Sequence, residues 1–148
     1  MTETQTMKVP APKPLKWRGK VMVASPLGLG MMFEHANYCR MLYLDDAKKQ
    51  VAGLPQSIQM EAWKDAKAFA DRMVPGSIEY ATVANWLDAQ IYLCFLSFRE
   101  KQPELSIDQM RQAMEEQYPD IMELANEMAG FAADKEGASP LAQAATAA

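Results

Sequence analysis

The sequence predicts a mostly α-helical protein: a compact bundle of about five helices with a short N-terminal β-strand or hairpin. Three observations carry this. Apolar residues recur at spacings of three and four over most of residues 31–131. Only Leu15 to Ser25 alternates with a period of two. Glycine, proline and capping residues interrupt the helical pattern about once per helix length.

In LKWRGKVMVAS the alternation sets Trp17, Gly19, Val21 and Val23 against Lys16, Arg18, Lys20 and Met22, and Ser25-Pro26 with Gly28 and Gly30 marks the turn that follows. A first helix is expected from Met31 to Gln50, with Met31, Tyr38, Met41 and Leu42 on its apolar stripe and Gly53 as its stop. Ser57 is the expected cap of a second helix, which carries Trp63, Ala66, Ala70, Met73 and Val74 on one face and ends at Pro75-Gly76.

The third helix, capped by Ser77 or Thr82, gives the strongest signal. Tyr80, Val83, Ala84, Leu87, Ile91, Cys94, Phe95 and Phe98 recur at helical spacing, and Trp86, Tyr92, Leu93 and Leu96 lie off that stripe. A helix that is apolar nearly all round is central to a bundle or buried at an interface. After Pro103, Ser106-Ile-Asp-Gln109 reads as a capping box opening a fourth helix to Tyr118, with Ile107, Met110 and Met114 inward. Pro119 suits the first turn of a fifth, with Ile121, Leu124, Ala125 and Met128 on its face. The expected organisation is a flexible basic, Pro-rich arm (1–14), one helical domain (15–135) and a disordered Ala-rich tail (136–148).

Charge is unevenly spread. Lys8, Lys13, Lys16, Arg18 and Lys20 face only Glu3 in the first twenty residues, whereas the rest of the chain holds ten basic and eighteen acidic residues. An acidic body argues against general nucleic-acid binding, which needs phosphate neutralisation. A DNA-binding regulator using the basic arm is the weaker reading that this arm leaves open. The longest apolar run, Ile91 to Phe98, is far short of a membrane span, and no leader pattern opens the chain, so a cytoplasmic location is expected. Cys39 and Cys94 are expected as buried, reduced thiols.

Catalytic and metal constellations do not emerge. The single histidine, His35, has Cys39 one turn on but neither a third ligand nor an orienting acid at suitable spacing. Asp45-Asp46, Glu115-Glu116 and Glu123/Glu127 read as solvated helix faces. Gly28-Leu-Gly30 lacks both the GxGxxG continuation and a Walker lysine. No catalytic, cofactor or metal residue is assigned. Methionine is the unusual feature: there are twelve in 148 residues. Its unbranched, polarizable side chain adapts to changing apolar partners. Met31, Met32, Tyr92, Phe95, Phe98 and Met110 are the expected partner-binding residues, with ordinary core packing as the competing account of each.

The stretch Trp86-Leu-Asp-Ala-Gln-Ile-Tyr-Leu-Cys-Phe-Leu-Ser-Phe98, followed by Arg99-Glu-Lys-Gln-Pro103-Glu-Leu-Ser106 and a helix start near Tyr118-Pro119-Asp120, resembles the tail assembly chaperones of long-tailed bacteriophages. The strand, turn and helix from Val21 to Met32 are similar in placement. The resemblance implies a non-catalytic protein of the bacterial host's cytoplasm that coats an apolar, helical tape measure protein during tail assembly. The alternative is a structural or adaptor component of a virion, a homo-oligomer that self-associates through the apolar third helix.

Overall fold

The computed structural model describes residues 13–136. Most of the expected N-terminal arm and nearly all of the expected tail lie outside them. Two strands, β1 (Lys13–Trp17) and β2 (Lys20–Ala24), precede five helices: α1 (Leu29–Ala52), α2 (Gln56–Asp71), α3 (Ile78–Ala84), α4 (Leu87–Arg99) and α5 (Ile107–Glu136).

β1 and β2 form an antiparallel hairpin in which Trp17 faces Lys20, Leu15 faces Met22 and Lys13 faces Ala24. Its two-residue turn has positive φ at both Arg18 (49°) and Gly19 (74°), the requirement of the turn type whose twist matches paired strands. Such a turn resets the alternation. Trp17 therefore shares a face with Met22 and Ala24, all three buried, while Val21 is exposed. A single period read through the turn had grouped Trp17 with Val21 and Val23; the hairpin overturns that grouping. The left-handed backbone of Arg18 is held by its guanidinium, which donates to Glu116 (2.6 and 3.2 Å) and Gln112 (3.2 Å) on α5. Trp17 Nε1 donates to the same Glu116 carboxylate at 2.6 Å.

α1 begins two residues before its expected start and ends at Gly53, whose N–H reaches the carbonyls of Gln50 and Val51. α2 starts after Pro55, so Ser57 lies in its first turn and caps nothing. Its C-terminal carbonyls are met from α1: Arg40 donates from Nε to Ala70 O at 3.2 Å and from Nη2 to Met73 O at 2.5 Å. Lone carbonyls at a helix C-terminus favour such a cation.

The expected third helix is two helices. Ser77 caps α3 by accepting from Tyr80 N–H, but the chain leaves helical geometry at Trp86 (ψ 146°), which starts α4. Periodicity is blind to this break, because the apolar residues continue across it. The bend lets two short helices each turn a face onto α1, so Tyr80, Val83 and Ala84 of α3 and Ala89, Leu93 and Leu96 of α4 are all buried. α4 is central: eight of its thirteen residues are buried, and it packs on α1, α3, α5 and β2.

The expected fourth and fifth helices run on as one element with a kink. The capping box forms as read, Gln109 N–H donating to Ser106 Oγ at 3.1 Å and Ser106 N–H to Gln109 Oε1 at 3.0 Å. Gln117 alone is non-helical (φ −138°, ψ 41°), two residues before Pro119. Proline lacks an N–H and crowds the preceding turn, so the helix bends there. The Gln117 side chain instead donates to Lys16 O at 2.9 Å.

Candidate functional site

The groups best suited to chemistry are inside. His35 and Cys39 are fully buried, with Cys39 Sγ 3.9–4.0 Å from the ring nitrogens. Burial pushes the imidazole down to about 4 and the thiols of Cys39 and Cys94 up to about 12. A neutral thiol in apolar surroundings is a poor nucleophile. Among the described residues no three His, Cys, Asp or Glu side chains converge as metal ligands, and no helix is long and apolar enough to cross a membrane.

The six expected partner-binding residues divide evenly. Met32, Phe98 and Met110 are core, with exposures of 3%, 0% and 0%. They fill the interior between helices and present nothing outward in this conformation. Met31, Tyr92 and Phe95 are half-buried, packed against the core with part of each side chain outside.

Those three belong to a stripe along α1 and α4. Met31, Glu34 and Tyr38 recur on one face of α1, and Asp88, Tyr92, Phe95 and Arg99 on one face of α4. The rings of Tyr38 and Tyr92 stack at 3.9 Å with 7° between their planes. At one end Arg99 clasps Glu34 with bonds of 3.0 and 2.6 Å, and Tyr92 Oη donates to the same carboxylate at 3.2 Å. The Arg99 guanidinium holds the Glu34 carboxyl below the usual carboxylate range. At the other end Arg111 of α5 pairs with Asp88 at 2.7 Å. The result is an aromatic strip between two ion pairs.

A second surface was not expected from the sequence. α1 and α2 form a helical hairpin in which α2 packs chiefly on α1, and only Ala66 and Ala70 of the sixteen α2 residues are buried. Between the two helices runs an open valley of about 610 Å³, lined by Tyr43, Ala47 and Val51 from α1, by Leu54 from the turn after it and by Ala62, Ala66 and Phe69 from α2. Gln50, Asp65 and Arg72 line it too, so its wall is part polar. Two of its lining rings meet, Tyr43 lying 4.6 Å from Phe69, and Tyr43 also lies 6.3 Å from Trp86 between ring centres. At 1.5 Å per residue, Tyr43 to Val51 spans about 12 Å along α1, a little over two turns of an added helix.

The signal for this valley was present but faint. Ala62, Ala66 and Ala70 recur every fourth residue in α2, and small residues on a helix face leave a groove between it and its neighbour. The expected face held Ala66 and Ala70 beside Trp63, Met73 and Val74, and spacing alone does not tell an alanine that fills a core from one that floors a groove. The family models, the curated proteins and the solved structures contain no match to this chain.

Proposed function

We propose that the protein is a non-catalytic tail assembly chaperone of a long-tailed bacteriophage, holding an apolar helical segment of the tape measure protein in the host cytoplasm. The observation that carries this reading is the α1–α2 valley, an open groove lined by the alanines Ala47, Ala62 and Ala66 together with Tyr43, Val51, Leu54 and Phe69. A floor of small residues accepts large side chains from a partner helix at i, i+3 and i+4 spacing. The Trp86–Ser106 resemblance is what favours the tape measure protein as that partner. The half-exposed stripe of Met31, Tyr92 and Phe95 extends the apolar surface on a neighbouring side of α1.

The reading in which a virion component self-associates through the apolar helix draws less support. Ala89, Ile91, Leu93, Cys94, Leu96 and Phe98 of α4 are already covered by the chain's own α1, α3 and α5. Co-expression with a long, apolar, helical tail protein tests the proposal. The partner stays in the soluble fraction and co-purifies if the proposal holds, and it precipitates as it does alone if the proposal is wrong.

A further inference from the structure

His35 is the only histidine in the chain, and its ring sits where α1 meets both α3 and α4. Nδ1 lies 2.5 Å from Tyr80 Oη of α3, and Nε2 lies 2.6 Å from the carbonyl oxygen of Ala89 in α4. A carbonyl can only accept, so Nε2 carries the proton and donates to Ala89 O. Nδ1 is then the acceptor for the Tyr80 hydroxyl. This polar tie fixes one tautomer and joins three helices with two bonds.

α3 depends on that tie more than its neighbours do. It has seven residues, too few for a helix to be stable without its packing. It is bounded by Gly76, at φ 92°, and by the break at Asn85-Trp86. Its outer residue Ile78 is 81% exposed, while the fully buried Tyr80 is its largest inward side chain.

We infer that His35 is a proton-operated latch: protonation at Nδ1 puts a charged ring between α1, α3 and α4, where the Tyr80 hydroxyl can only turn round to accept, and the cost of burying that charge releases α3 from α1, while α4 and α5 remain packed. Among the described residues, none of the groups that face the ring offers the imidazolium a free counter-charge. From α3 the ring faces Tyr80, whose phenol burial raises far above its usual range. From α1 it faces Cys39, a neutral thiol. From α4 it faces the Tyr92 ring, stacked at 6.3 Å with 12° between the planes, and burial raises that phenol too. The nearby Glu34 carboxylate is turned to Arg99 and Tyr92 Oη, and Asp88 is paired with Arg111. The latch also reaches the surface, since Tyr92 stacks in turn on Tyr38.

Because there is one imidazole, its NMR signals in the intact protein are unambiguous, and amide exchange reads α3 separately from α4. The ring is expected to remain neutral with the proton on Nε2 at pH 6.5. It should become protonated at lower pH together with loss of exchange protection across residues 78–84, while residues 89–98 stay protected. With an open-state value near 6.5 and a closed value near 4, the closing equilibrium of α3 falls about thirty-fold by pH 5. His35→Gln keeps a donor and an acceptor but does not titrate, so α3 should stay protected at pH 5. The inference is overturned if the ring protonates with α3 still protected, if α3 keeps its protection down to pH 4, or if H35Q loses it at the same pH as the wild type. If H35Q does not fold, the paired wild-type readouts decide alone.

Discussion

The side-chain amide of Gln102 takes the place of a third strand beside Val23. Val23 N–H donates to Gln102 Oε1 at 2.7 Å, and Gln102 Nε2 donates to Val23 O at 3.2 Å and also to Phe98 O. A two-stranded hairpin has two open edges, each able to template unwanted pairing. Gln102 closes one of them. On the other, Pro14 has no N–H to offer and Lys16 O is taken by Gln117.

Replacing Gln102 by alanine should therefore cost about 1–3 kcal/mol, the penalty of leaving part-buried backbone groups unpaired. Gln102→Glu should cost at least as much, because its carboxylate meets two carbonyl oxygens. Urea unfolding of the two variants measures both. Wild-type stability in Q102A would mean that water replaces the amide and that the edge is open.

Arg40 joins α1 to the end of α2 through the carbonyls of Ala70 and Met73. Arg40→Met keeps the apolar stem and removes both bonds. The expected loss is about 2 kcal/mol, given charge-assisted bonds at a helix C-terminus. Since α2 buries little else, exchange protection should fall in residues 56–71 before it falls in α4. Uniform loss across the molecule would show that the hairpin is not an independent unit.

These elements show what the sequence could and could not disclose. The Ser106/Gln109 box and the Gly53 stop were legible, because both signals are local and depend on side chains a few residues apart. The hairpin was legible, but not the phase of its faces, since a two-residue turn shifts the alternation. The α3–α4 break was hidden because Asn85-Trp86 carries no glycine or proline, and tertiary packing of Trp86 near Tyr43 bends the chain there. For the six expected contact residues, residue type did not separate the half-buried Met31, Tyr92 and Phe95 from the buried Met32, Phe98 and Met110, because the same adaptable side chains also fill cores.

Acid should weaken the fold in two stages. His35 has a folded value below its unfolded one, so the unfolded chain binds the extra proton. Stability is then full above about pH 6.5 and falls toward pH 4, by up to about 3 kcal/mol. Glu34 and Glu116 are also held below their usual 4.5, by Arg99 and by Arg18 respectively. Their contribution is present above that value and is lost below it. Both carboxylates are substantially solvent-exposed, so solvent screening makes this second stage the smaller one. Denaturant midpoints taken every half pH unit separate the stages. Glu34→Gln should flatten only the lower one, and a change confined to the upper stage would contradict the assignment.

Function separates the valley from the stripe. Val51→Glu with Leu54→Glu places two carboxylates at apolar positions of the valley, one half-buried and the other 37% exposed. The unfolding midpoint should move by no more than about 4 °C, because neither residue is core. Capture of an apolar helical partner should drop at least tenfold, since each charge must be desolvated when the partner helix seats. Tyr92→Ala removes the stack on Tyr38, worth about 1 kcal/mol beyond its area. If the valley is the seat, this variant is less stable but still captures the partner. The reverse result, with V51E/L54E binding normally and Y92A failing, would move the partner site to the α1–α4 stripe.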